Sequence, residues 1–162
     1  MAAIAESTSE NSAVDWKASK RITDDVLAET LSKSIAGPPL TGAVFCRFRT
    51  AYTAANYLGP LGMYLISRPA AASKAAEVTK DTGVPLDAAV VFGVNSDTLY
   101  IWSASPMLSM VNTFLGAIPR SKITAVTTKP GSSWQQLSIL LEGGAIEVEA
   151  RGGVHAFVSS FA

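Results

Sequence analysis

Cysteine and histidine are scarce in this sequence: among 162 residues there is one of each. A single cysteine, Cys46, cannot form an internal disulfide, so nothing indicates an oxidising compartment. A zinc site needs several nitrogen or sulfur ligands, and Cys46 with His155 supplies only two. We therefore expect no metal and no cofactor. With Phe45 and Phe48 beside it, Cys46 is predicted to be a buried structural thiol.

Charge is also sparse. Thirteen basic and thirteen acidic residues give a net charge of zero, which argues against a basic surface for nucleic acid. Residues 41–80 are the exception, with five basic residues against one acidic residue. The chain has no run of about 20 apolar residues. Its first residues lack the basic start and apolar core of a signal peptide, so the expected compartment is the cytoplasm.

Motifs for catalysis are missing as well. Ser159 lacks the Gly-x-Ser-x-Gly context of a nucleophile elbow, and residues 59–62 lack the Gly-Lys-Ser/Thr ending of a phosphate loop. His155 has no partner for general acid–base catalysis nearby in the sequence. Glu147 and Glu149 alternate with apolar residues and are expected to face water. The sequence therefore predicts a protein that is not an enzyme.

The residues from Ala88 to Ala162 do have a clear pattern, that of short strands joined by tight turns. Asn95–Asp97 predicts a three-residue hairpin connection, and Glu142–Gly144 a tight turn. Apolar residues at positions 154, 157, 158 and 161 share one helix face. Residues 106–115 form an apolar connection of undetermined type. The predicted strands cover residues 88–94, 98–102, 122–128, 134–141 and 145–150, and a helix closes the chain.

The first half is more mixed. Thr23 before two aspartates predicts an amphipathic helix over 24–35, ended by Gly37-Pro38-Pro39. Residues 40–49 read as a strand with Phe45 and Arg47 on one face. After it we predict a short helix near 51–57, a Gly-Pro-Leu-Gly loop at 59–62, a strand or helix over 64–67, and a helix over 70–79.

Three segments together resemble a known family: Leu99–Trp102, Gly116–Val126 with its Ile-Pro-Arg-Ser-Lys-Ile run, and Leu137–Glu149 with its Glu-Gly-Gly turn. They are similar to the pleckstrin-homology-like domains of small bacterial, especially actinobacterial, proteins. The resemblance implies an α+β fold, a strongly bent antiparallel sheet or partly open barrel with a C-terminal capping helix. It also implies a binding module. The predicted organisation is a leader over 1–21 and one domain over 22–162 with an insert at about 50–83.

The candidate binding residues come from the basic segment: Arg47, Arg49 and Arg68, with Tyr57 and Tyr64. Arginine and tyrosine around an apolar loop suit a protein partner or an anionic lipid surface, the latter with peripheral membrane attachment. They also suit ordinary packing with solvated guanidinium groups. The strands next to the first loop lack a Lys-x-Arg pattern for phosphoinositides, so the resemblance implies no phosphoinositide site here. The alternatives are a structural, self-associating protein that forms homo-oligomers, and a small ligand-binding barrel or hydrolase with the insert as a lid.

Overall fold

The fold is one antiparallel sheet of seven strands accompanied by three α-helices, seen in a computed structural model that describes residues 24–48, 59–105, 110–131 and 134–162. The α+β class is as predicted. The strands are β1 (Gly42–Arg47), β2 (Ala89–Val94), β3 (Thr98–Ser105), β4 (Met110–Pro119), β5 (Ile123–Lys129), β6 (Gln135–Leu141) and β7 (Gly144–Arg151). The helices are α1 (Asp24–Ser32), α2 (Gly59–Thr82) and α3 (Val154–Ser159).

The strand order is β4-β3-β2-β1-β7-β6-β5, so the chain builds two antiparallel runs that are joined where β1 pairs with β7. In a flat sheet the outer strands β4 and β5 would lie about 29 Å apart. Only the 3-10 turn Arg120–Lys122 connects them, and four residues span at most about 14 Å. The sheet therefore curves until the end of β4 meets the start of β5. The two strands are not paired, so the sheet is not closed into a barrel.

Side chains of β1 alternate between two cores, as the sequence predicted. Val44 and Cys46 belong to the larger core, which the curved sheet encloses between its two runs. Ala43 and Phe45 face the other way and pack under α1. Since both faces are covered here, the middle strands are almost wholly apolar, and all six residues of β2 are buried.

Helix α1 lies across the first run of strands. It buries Leu27 and Leu31 against Phe45, Tyr100 and Trp102. It ends at Ser32, earlier than the predicted end at residue 35, because the chain turns there: Ser34 donates its hydroxyl to the Leu31 carbonyl oxygen at 2.7 Å. The amphipathic pattern predicted the position of the helix correctly but placed its end at residue 35 instead of Ser32.

Helix α2 corrects the prediction for the insert. Instead of a loop at 59–62 and a separate element over 64–67, one helix runs from Gly59 to Thr82. Pro60 is the second residue of the helix, where its missing N–H group would have no helical partner in any case. The helix ends at Thr82, a little beyond the predicted end at residue 79, and Gly83 directly after it has φ +74°. The short helix predicted at 51–57 lies outside the described residues.

Two further predictions change. Residues 110–115 of the connection left undetermined belong to strand β4, which pairs with β3 from Thr98↔Pro119 to Ser105↔Met110. Trp134, predicted inside a strand, lies just before β6. The three-residue hairpin connection after β2 and the tight turn before β7 are confirmed.

Helices α2 and α3 occupy opposite ends of the larger core. Ala71 and Ala75 of α2 are buried against it. Phe157 of α3 lies 6.4 Å from the ring of Phe92, centroid to centroid. The backbone of α3 lies so close to Gly42 that a Cβ atom there would be 2.7 Å from the Phe157 Cα atom. Glycine is therefore required at this contact.

Candidate functional site

Of the five predicted binding residues, the structure gives a side-chain environment for one. Arg47 is the last residue of β1. Arg49 and Tyr57 lie outside the described residues. Tyr64 and Arg68 fall within residues 59–70 of α2, where the structure describes the helix but not the side chains. The site can therefore be built around Arg47, and the predicted grouping of the five residues remains a prediction.

Strand pairing sets the position of Arg47. It lies directly opposite Glu149 of β7, a residue 102 positions away in the chain. The Arg47 Nε atom donates to the Glu149 Oε2 atom at 3.0 Å. The Arg47 side chain is 43% exposed and that of Glu149 18% exposed. An ion pair so open to water contributes little to stability, about 0–1 kcal/mol.

Trp134 completes the environment of Arg47. The guanidinium carbon of Arg47 lies 3.9 Å from the centre of the Trp134 ring. That of Arg151 lies 4.8 Å from the same ring. One partly exposed indole thus holds two guanidinium groups, a cation–π arrangement in which tryptophan is the strongest aromatic partner. We call these four residues, Arg47, Trp134, Glu149 and Arg151, the Arg–Trp corner.

The corner stands at one end of a solvent-facing sheet surface, which we call the outer face. It is the side of β5, β6 and β7 that continues from Phe45 and Arg47, beyond the area that α1 covers. Leu140 on this face is 37% exposed. The registers define three cross-strand rows: Ala125, Leu140 and Ala145; Thr127, Ser138 and Glu147; Lys129, Gln136 and Glu149.

Sequence reasoning placed Glu147 and Glu149 outside and their apolar neighbours inside, and the burial of β7 confirms this. It missed the roles of Trp134 and Arg151. The tight turn before β7 sets a hairpin register with Gln135 opposite Ala150, which brings Trp134 close to Arg151. Their contact with Arg47 has no such local signal, because it depends on the pairing of β1 with β7. Trp134 and Arg47 lie far apart along the chain.

Cys46 is the buried thiol that the sequence predicted. It lies in the larger core, and burial raises its pKa well above the ordinary value for cysteine. The thiol is therefore neutral and shielded, not a nucleophile. His155 is exposed on α3. Among the residues that the structure describes, no group of three or more histidine, cysteine, aspartate or glutamate side chains could hold a metal ion.

In the described part of the chain no helix is both long and apolar enough to cross a membrane. Comparison of the sequence with protein-family models and curated proteins, and of the fold with solved structures, finds no match.

Proposed function

We propose that this chain is a non-enzymatic binding module of pleckstrin-homology-like fold, and that its partner is a protein bound at the Arg–Trp corner and the adjoining outer face. The observation that carries the proposal is the corner itself. Tryptophan and arginine are the residue types most enriched among those that dominate binding energy at protein interfaces. Here they are stacked on each other and partly exposed.

The architecture supports the fold part of the proposal. A wholly antiparallel, curved sheet with a short helix packed at one end of its core has the form that the family resemblance implies. The insert helix α2 packs against the core through Ala71 and Ala75. This packing suits a fixed support better than a hinged lid, which weakens the alternative of a lidded hydrolase.

Charge on the outer face favours a protein over an anionic membrane. Glu147 is exposed in the row next to the corner, and Glu149 lies within it. A membrane surface presents many negative charges together, and these two carboxylates offset most of the attraction that the basic side chains of the same face would supply. A protein partner can place a single charge at the arginines and uncharged groups elsewhere.

The alternative of self-association was motivated by the apolar stripes of the first and last helices, and these stripes are not exposed in the structure. The apolar stripes of α1 and α3 are buried inside this chain, with Leu27, Leu31 and Phe157 in its own cores. Light scattering tests this alternative directly, and we expect a monomer even at high concentration.

Site-specific photocrosslinking in the cells that produce this protein tests the proposal. A benzophenone side chain at Gln136, an exposed outer-face position, should give a discrete crosslinked species. The same group at Ala76, exposed on α2, should not. The Gln136 species should weaken in the Arg47→Gln and Trp134→Ala variants, which is the result that distinguishes a site from chance capture. The absence of any Gln136 species would overturn the proposal.

Vesicle sedimentation covers the lipid alternative. The purified chain is mixed with vesicles of phosphatidylcholine alone or of phosphatidylcholine with phosphatidylserine. We expect no sedimentation with either. Binding that requires phosphatidylserine and is lost in Arg47→Gln would replace the protein partner with an anionic lipid surface.

A further inference from the structure

We infer that the Arg–Trp corner recognises a single carboxylate, presented by an acidic side chain of the partner protein. The inference rests on the proposed function and names the chemistry of the partner at that site.

Two contacts orient the guanidinium group of Arg47. Its Nε atom is engaged by Glu149, and one face of its guanidinium plane is stacked on Trp134. No other residue in the described part of the chain forms a hydrogen bond with Arg47 that involves Nη1 or Nη2. With 43% of the side chain exposed, the two Nη donors are available to a ligand. A planar pair of N–H donors matches the two oxygens of a carboxylate.

The basic side chains of the corner and its row favour the binding of an anion. Arg47 and Arg151 lie against the same indole ring, and Lys129 lies in the same cross-strand row as Glu149 and Arg47. Among the residues that the structure describes, the corner and its row thus place three cationic side chains on the same face of the sheet. Like charges near an apolar ring repel each other, so an added anion lowers the electrostatic free energy of the group.

Glu147 limits the charge of the anion that can bind at the corner. Glu147 is exposed one row away on β7, and a ligand with several charges would approach it. A monovalent carboxylate gains the contacts with Arg47 and avoids most of that repulsion. The apolar row of Ala125, Leu140 and Ala145 further along the outer face offers contact to the rest of a polypeptide.

Nuclear magnetic resonance titration of the ¹⁵N-labelled chain tests the inference. The probes are the blocked tripeptide acetyl-Gly-Glu-Gly-amide, its Gln counterpart and inorganic phosphate. The signals are the Trp134 indole N–H, assigned with Trp134→Phe, and the Arg47 Nε–H. We expect saturable shifts with the Glu tripeptide, weaker at higher salt, and none with the Gln tripeptide.

Variants make the expected result specific. Arg47→Gln should weaken binding by about tenfold or more, since hydrogen bonds to charged groups are the strong ones. Glu149→Gln should strengthen it, because it removes the competing carboxylate. Lys122→Gln is the matched control: Lys122 is exposed in the turn directly before β5, whereas Lys129 is the last residue of that strand, and the variant should bind like the parent.

Three outcomes would overturn the inference: equal shifts with the Glu and Gln tripeptides, tighter Arg47-dependent binding of phosphate, or no shift with any probe. Its failure is separable from that of the proposed function. A Gln136 crosslink that survives in Arg47→Gln leaves a protein-binding face without carboxylate recognition. Tripeptide binding without any crosslink leaves the anion site but removes the protein partner.

Discussion

Replacing Asn95 with alanine should destabilise the fold far more than its position in a hairpin connection suggests. Asn95 is fully buried. Its Oδ1 atom accepts hydrogen bonds from the backbone N–H groups of Asp97 and Thr98, both at 2.9 Å. Its Nδ2 atom donates to the Pro38 carbonyl oxygen at 3.0 Å. One side chain thus shapes the β2–β3 turn and fastens the segment that follows α1 to it.

The magnitude follows from those three hydrogen bonds. Each contributes a net of about 1 kcal/mol, and a buried group left without a partner costs about 1–3 kcal/mol. Pro38 and Asp97 are exposed, so water can reach their backbone groups once Asn95 is gone, while Thr98 is partly buried. We therefore expect Asn95→Ala to lower the free energy of unfolding by about 2–4 kcal/mol.

Urea unfolding followed by tryptophan fluorescence measures this loss, with far-ultraviolet circular dichroism as a second probe of two-state behaviour. A loss of about 3 kcal/mol should also lower the thermal midpoint by about 6–12 °C. Ser96→Ala is the matched control on the same turn. Ser96 is exposed, and its replacement should change stability by less than about 0.5 kcal/mol.

Asn95→Asp separates the two halves of the interaction. It keeps the Oδ1 acceptor and replaces the Nδ2 donor with an oxygen that faces the Pro38 carbonyl. The buried carboxylate should have a raised pKa, so its penalty should shrink as the pH falls and the group becomes protonated. A loss below about 1 kcal/mol in Asn95→Ala, with the fold intact, would refute the reasoning and mean that water replaces these hydrogen bonds without cost.

Three further predictions concern packing and pH. Gly42→Ala should cost about 1–3 kcal/mol in urea unfolding, because its Cβ would lie 2.7 Å from the Phe157 Cα atom; Gly143→Ala, with nothing within 4 Å, is the control, and equal losses would contradict the argument. Phe157→Ala should cost about 3–5 kcal/mol by the same assay, since Phe157 is fully buried between two aromatic rings; a loss near zero would mean that α3 does not stabilise the core. Because burial raises the pKa of Cys46 in the folded chain, its contribution is complete below about pH 8.5 and should fall at higher pH by up to about 1.4 kcal/mol per unit. Unfolding curves from neutral to alkaline pH should show this loss in the parent and not in Cys46→Ala, and equal slopes would count against it.

Much of the sheet could be predicted because strand faces repeat with a period of two along the chain. Residues 145–150 alternate cleanly, and β7 buries the expected side of that pattern. The insert could not be predicted in the same way. Glycine and proline in residues 59–62 indicated a loop, but a proline in the first turn of a helix costs nothing, and the structure has one helix there.

The candidate site shows a second limit. The sequence points to Arg47 because basic residues are concentrated near it. Its neighbours Trp134 and Arg151 lie outside that basic segment, and the sequence predicts Trp134 as the first residue of a strand. The distance along the chain between Arg47 and these residues hides the contact from any argument based on local spacing.

The sequence by itself determined most of the individual strands, the alternation of β1 and β7, the turn after β2 and the burial of Cys46. These follow from side-chain chemistry over a few residues. The tertiary structure alone decided that β1 pairs with β7, that the sheet curves without closing, and that Arg47 meets Glu149 and Trp134. The physical reason is that local patterns set which face of a strand is apolar, whereas the choice of partner strand depends on how all the apolar faces share one core.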